Sequence, residues 1–122
     1  MNTTYSVIGL GKLGACMVAA IAHRGYNVIG LDISERAVEL LRHGRAPVQE
    51  TNLDKLIAAN QERICATVSY REAVLNSSVT FVVVPTPSDE RGAFSLHNAA
   101  QAMHQIGGVL AEKQSYHLVV LT

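Results

Sequence analysis

The stretch Val7-Ile8-Gly9-Leu10-Gly11-Lys12-Leu13-Gly14 decides how the rest of the chain is read. It places three glycines in a GxGxxG spacing, just after an apolar run and just before a helix-like segment. Each glycine has a separate physical task in such a turn. Gly9 permits the tight bend out of a strand. Gly11, lacking a Cβ, lets the backbone come close to a pyrophosphate. Gly14 lets the helix pack closely on the sheet. The amides of Lys12 and Leu13 then stand at a helix N-terminus, where unpaired N–H groups and the helix dipole favour an anion.

Working outward, strand and helix signals alternate, which predicts an α/β domain with a mainly parallel, doubly wound sheet and helices on both faces. Strands are expected at 5–9, 27–31, 64–68, 79–84 and 116–121. Helices are expected at 13–24, 34–42, 52–59, 70–75 and 96–111. Ser34 reads as the cap of the second helix, and Thr51 or Asn52 as the cap of the third. Leu13, Met17, Ile21 and the intervening alanines are the expected packing residues of the first helix. Leu96, Ala99, Ala100, Met103 and Leu110 form the expected stripe of the last. The run Val79–Val84 reads as a strand buried on both faces. Gly107-Gly108 calls for close packing or a nearby helix end, since glycine inside a helix costs about 1 kcal/mol against alanine.

Asp32 closes the second strand, eighteen residues beyond Gly14. A carboxylate there accepts hydrogen bonds from the adenosine ribose hydroxyls and repels a 2′-phosphate, which favours NAD over NADP. Arg36, four residues later, is the opposing signal, because a guanidinium pairs with a 2′-phosphate or stacks on adenine. After the fourth strand comes Val84-Pro85-Thr86-Pro87. Two prolines stiffen this loop, and it leaves the carboxyl end of a strand, where ligands of doubly wound sheets sit. Val84, Pro85 and Thr86 are therefore candidates for cofactor contact.

Ten basic residues balance ten acidic ones across 122 residues. That balance argues against a broad grip on nucleic acid or on a lipid surface. Cys16 and Cys65 have no CxxC partner and read as buried free thiols of a reducing, cytoplasmic compartment. The five histidines lack metal-ligand spacing and read as surface residues. No run reaches membrane-spanning length. Thr122 follows directly on a strand that reads as buried, which predicts a longer protein.

Taken together, GLGKLG, Gly30-Leu31-Asp32, Ala46-Pro47-Val48-Gln49-Glu50, Val84-Pro85-Thr86-Pro87, Gly92 and Leu96 resemble the UDP-glucose/GDP-mannose dehydrogenase family over essentially the whole chain. The resemblance implies a Rossmann-type NAD-binding domain and a two-step oxidation of a nucleotide-sugar C6 alcohol to a uronic acid, through aldehyde and enzyme thiohemiacetal levels. It also implies a homodimer in the full-length enzyme. Family members commonly carry Tyr-Val where this chain has Lys12-Leu13, and Glu-Pro-Gly-Leu where it has Glu50-Thr51-Asn52-Leu53. The second change predicts an altered turn. The family's nucleophilic cysteine and its lysine belong to a later domain, and neither Cys16 nor Cys65 matches that cysteine, so no catalytic residue is assigned. Two competing readings are a regulatory nucleotide-binding module of the potassium-transport type and a truncated hydroxyacid or phosphogluconate-type dehydrogenase. The regulatory module leaves unexplained both the Pro-Thr-Pro loop and the excursion of about 45 residues between Asp32 and Val79.

Overall fold

Why the glycine stretch bends where it does is clear from its surroundings in the computed structural model, which describes residues 3–84 and 97–122. The first strand, β1 (Thr4–Ile8), runs into the bend, and α1 (Lys12–His23) leaves it. There follow β2 (Asn27–Leu31), α2 (Glu35–Arg42), α3 (Leu53–Ala59), a single 3₁₀ turn at Gln61–Arg63 and β3 (Ile64–Thr67). Then come α4 (Tyr70–Leu75), β4 (Val79–Val82), α5 (His97–Leu110) and β5 (Leu118–Leu121). All strand pairs are parallel, in the order β3-β2-β1-β4-β5.

Alternation along the strands feeds two cores. Val7 and Val28 point to one face, where Ala15, Val18, Val38, Leu41 and Ile57 pack from α1, α2 and α3. Ile8 and Leu31 point to the other, where Ala73 and Val74 of α4 meet Ala102, Ile106 and Val109 of α5. Each fully buried valine, leucine or isoleucine among them contributes about 1.5–3 kcal/mol.

Several expectations change once packing is visible. Leu13 is exposed on α1, whereas the expected alanines Ala15, Ala19 and Ala22 are buried with Gly14 and Val18, and Met17 and Ile21 pack half-buried against the same core. Small residues win there because the helix lies close on the sheet. The buried stripe of α5 is Ala99, Ala102, Ile106 and Val109, while Ala100 and Met103 face outward. Leu96 lies outside the described residues. Gly107 and Gly108 are not explained by close packing, since no atom would crowd a side chain at either. They sit in the last turn of the helix. The fourth strand ends at Val82, and it carries the buried Thr80 among its apolar residues. The fifth is a half-exposed edge strand that starts at Leu118, so Tyr116 lies outside it. Cys16 is half-buried and packs against the first core, and Cys65 is exposed, so neither is the fully buried thiol expected.

Asn52 does not cap α3 with its side chain. Its backbone is left-handed at φ 64°, and it is the one non-glycine residue with positive φ among those described. The amide of Leu53 donates to the Glu50 carbonyl across this turn at 3.2 Å. Asparagine tolerates that conformation better than most residues, so Asn52 holds a left-handed turn here without glycine.

A polar network escaped the sequence reading altogether. Ser6 of β1 and Thr80 of β4, paired in register, are both fully buried, with hydroxyls 2.7 Å apart. His117 Nε2 stands 2.7 Å from the Thr80 hydroxyl. Lys113 Nζ donates to the carbonyls of Val74 and Ser77 and lies 2.9 Å from His117 Nδ1, which accepts. The Ser77 hydroxyl reaches Ser6 at 3.0 Å and the Ala73 carbonyl at 2.8 Å. His117 is thus no surface histidine. Burial pushes its pKa below the ordinary value, and the like charge of Lys113 adds to that, against a smaller opposite effect from the Ser77 carbonyl.

Candidate functional site

The bend is built so that only glycine fits at two of its three positions. Gly9 has φ +106°, and a Cβ there would lie 2.6 Å from the Val83 carbonyl oxygen. Gly14 sits beneath the bend, against the backbone of Gly9. The crowding at Gly9 ties the end of β4 to the end of β1, and Val83 N–H donates to the Ile8 carbonyl at 2.8 Å. Gly11, by contrast, has nothing within 4 Å of where a side chain would begin. Its open side faces the cleft.

The start of α1 is left unsatisfied. Gly11 provides no side-chain cap, and the first helical bond is Ala15 N–H to the Gly11 carbonyl at 2.9 Å. The amides of Lys12, Leu13 and Gly14 have no acceptor among the described residues. Unpaired donors of this kind call for water or a ligand, and a helix N-terminus favours an anionic one.

Asp32 is anchored to the same bend. Its Oδ2 accepts from the Leu10 amide at 2.7 Å, and its Oδ1 accepts from the Ser34 amide at 2.9 Å. Ser34 in turn caps α2, its hydroxyl accepting from Ala37 N–H at 3.2 Å. A cleft of about 770 Å³ runs along these groups, lined by residues 8–14, by Leu31, Asp32, Ile33, Ser34 and Ala37, by Tyr70, Val83 and Val84, and by polar side chains of α5. It opens outside the carboxyl ends of β1, β2 and β4, where strand order reverses and doubly wound sheets bind ligands. Its volume lies within the ordinary range for small-molecule and cofactor sites.

Of the sequence candidates, Gly9, Gly11, Lys12, Leu13, Gly14, Asp32 and Val84 all line this cleft. The Lys12 ammonium is exposed and stands 3.5 Å from Glu50, so its side chain points along the surface. Arg36 is exposed in the first turn of α2 and is not among the lining residues. Pro85 and Thr86 lie outside the described residues. Tyr70, half-buried at the start of α4, was missed. It resembles any first-turn helix residue in sequence, and only the crossover brings it to Asp32. Burial pushes its phenol above the ordinary pKa, and the negative charge of Asp32 adds to the effect. Among the described residues no group of three His, Cys, Asp or Glu side chains is placed to hold a metal. None of the described helices is long and apolar enough to cross a membrane.

Comparison with known proteins agrees with this geometry. Residues 3–122 match the UDP-glucose/GDP-mannose dehydrogenase family, NAD binding domain. The chain is 34% identical to GDP-mannose 6-dehydrogenase of Pseudomonas aeruginosa over 118 residues, which covers 95% of this chain and 27% of that protein. It is 37% identical to UDP-glucose 6-dehydrogenase of Haloferax volcanii over 116 residues, covering 94% of this chain and 27% of that protein. The crystal structure of a ternary complex of GDP-mannose dehydrogenase from Pseudomonas aeruginosa superposes with a TM-score of 0.93 at 34% identity, over 96% of this chain and 27% of that one. UDP-glucose dehydrogenase of Pyrobaculum islandicum gives 0.92 at 32% identity, over 99% of this chain and 28% of that one. The chain thus spans little more than a quarter of the length of these relatives. A glycine bend with free amides, an acid bonded to that bend and a match over residues 3–122 make one case: the chain belongs to the UDP-glucose/GDP-mannose dehydrogenase family, as an NAD binding domain.

Proposed function

We propose that this chain is the cofactor-holding domain of a nucleotide-sugar 6-dehydrogenase, which oxidises the sugar C6 alcohol to a uronic acid. The observation that carries the reading is the set of unpaired amides at Lys12, Leu13 and Gly14 in the same cleft as Asp32. In this reading the amides of Lys12 and Leu13 hold the diphosphate, and Gly9, Gly11 and Gly14 shape the bend around it. Asp32 accepts from the adenosine ribose hydroxyls. It keeps that capacity while accepting from Leu10 and Ser34, because a carboxylate offers about four lone-pair sites. Arg36 flanks the adenosine end. Val84, Pro85 and Thr86 touch the middle of the dinucleotide.

Bound NAD supplies the hydride acceptor. In the intact enzyme the dinucleotide held by these residues would accept hydride from C6 in both oxidations, with water supplying the second carboxylate oxygen. The sugar pocket and the nucleophilic cysteine are assigned to central and C-terminal domains outside residues 1–122, in keeping with the quarter-length match to the relatives. The complete protein is assigned as a cytoplasmic homodimer without nucleic-acid or membrane partners.

Calorimetry with NAD and NADP on the wild type and on Asp32→Asn tests the assignment. Asparagine keeps the side-chain shape and one acceptor oxygen for Leu10 or Ser34, at the loss of the other bond, while removing the charge. The wild type is expected to prefer NAD at least tenfold, and Asp32→Asn to lose most of that preference. The chain alone is expected to turn over neither UDP-glucose nor GDP-mannose, and a form carrying the further domains to oxidise one of them. Absence of NAD binding, or equal affinity of the wild type for both dinucleotides, overturns the assignment.

A further inference from the structure

One face of β4 and β5 enters a core, and the other does not. Val82 and Val119 pack beneath α4 and α5. Val79 and Phe81 point the opposite way. They are the register partners of Tyr5 and Val7 on one side, and of Leu118 and Val120 on the other. Parallel partners point to the same face, so all four lie on the face where Val7 packs under α1. None of the four joins that core. The helices of this face lie over the other strands, α1 over β1 and β2, and α2 over β2 and β3. Tyr5 stacks on Phe81 with ring centroids 6.2 Å apart, and Tyr26 meets Tyr5 edge-on at 5.5 Å. Tyr26 is 38% exposed and Leu118 44%. Among the described residues these six side chains form an apolar shelf two strands wide. Strands of parallel sheets read as continuous apolar runs because helices cover both of their faces. Leu118–Leu121 is such a run without a charge, and only its Val119 meets a core.

We infer that an amphipathic helix of the further domains, carried on the same polypeptide, lies along this shelf, and this rests on the proposed function above. Width sets the kind of occupant. Neighbouring strands stand about 4.8 Å apart and a helix with its side chains is about 10 Å across, so two strands seat one helix. Chemistry sets its contact face, which is an apolar stripe laid over Phe81, Leu118 and Val120. The choice between a tethered segment and a second copy follows from the size of the relatives. This chain corresponds to 27% of each of two of them, so most of a complete protein packs outside the residues described. A segment on the same polypeptide is presented at about millimolar effective concentration, whereas a second copy has to be met in solution. None of the six shelf residues lines the cofactor cleft. A helix seated there leaves the cleft open to the dinucleotide.

Thiol protection tests the docking. Leu118→Cys and Val120→Cys, one in each row of the shelf, are made separately with Cys16→Ala and Cys65→Ser, so that each protein carries a single thiol. N-ethylmaleimide is the probe, and NAD binding confirms that each variant is folded. In the 122-residue chain both thiols are expected to react readily. In a form carrying the further domains both are expected to react about tenfold more slowly or less, because a buried thiol is inert. Equal rates in the two forms overturn the docking and spare the proposed function, provided that the longer form oxidises UDP-glucose or GDP-mannose. Protection already present in the 122-residue chain also overturns it, since the shelf is then covered without further domains. Protection of the longer form that disappears on dilution to monomers overturns the tethered helix in favour of a second copy. A longer form that oxidises neither sugar and leaves both thiols reactive overturns the docking and the proposed function together.

Discussion

A methyl group on Gly14 would stand 1.6 Å from the carbonyl oxygen of Gly9. The obstacle is backbone, which cannot swing aside as a side chain can. Gly14→Ala is therefore expected to destabilise the chain by about 3 kcal/mol, at the upper end of overpacking costs. Urea unfolding of the variant and the wild type measures it. A loss under 1 kcal/mol would mean that the helix does not lie this close to the bend.

Gly11 supplies the contrasting case in the same turn. Nothing in the protein lies within 4 Å of its missing Cβ, and its φ of −73° suits any residue. Gly11→Ala is expected to keep stability within about 1 kcal/mol of wild type. Its NAD affinity is expected to fall more than tenfold, since the methyl occupies the approach of the diphosphate. Unfolding and calorimetry on one preparation separate the two effects, and unchanged affinity would count against a diphosphate at this bend.

Asn52 holds a left-handed backbone at φ 64° in the turn before α3. Left-handed geometry costs most side chains about 1–2 kcal/mol. Asn52→Gly is expected to be neutral or stabilising by up to about 1 kcal/mol, and Asn52→Ala destabilising by about 1 kcal/mol. Thermal unfolding of the pair checks the order, which reverses only if that turn is not left-handed.

His117 makes the fold sensitive to mild acid. Its Nδ1 accepts from Lys113 and its pKa is depressed in the folded chain. An unfolded histidine titrates near 6.5. Below that value the unfolded chain binds a proton that the folded chain resists, so stability falls as pH falls. Above it both states are neutral at this residue and the effect vanishes. The midpoint of thermal unfolding is expected to drop between about pH 7.5 and 5.5. Subtracting the profile of His117→Gln isolates the contribution, and identical profiles would show that the imidazole does not govern it.

How far the sequence reaches can be judged from particular elements. The bounds of β2 and α4 were readable to the residue, because cap, periodicity and breaker act within a few positions. The GxGxxG stretch and Asp32 were readable as a pair, because their spacing follows from one strand, one helix and one return strand. The stripe of α5 was misread. Ala100 and Ala102 are identical residues, and which of them meets the sheet depends on how the helix is rotated over β4. His117 was misread for a similar reason, since nothing near it in sequence announces Thr80 or Ser6.

The sequence by itself determined where the chain bends, where its strands and helices lie, and that an acid would end the second strand. Those are consequences of steric and hydrogen-bonding rules with a reach of a few residues. Tertiary structure decided the strand order, the bond from Leu10 to Asp32 across twenty-two positions, the exposure of Ile33 beside it and the burial of the Ser6–Thr80 pair. Those depend on which distant surfaces are removed from water together, a condition that only the packed sheet satisfies.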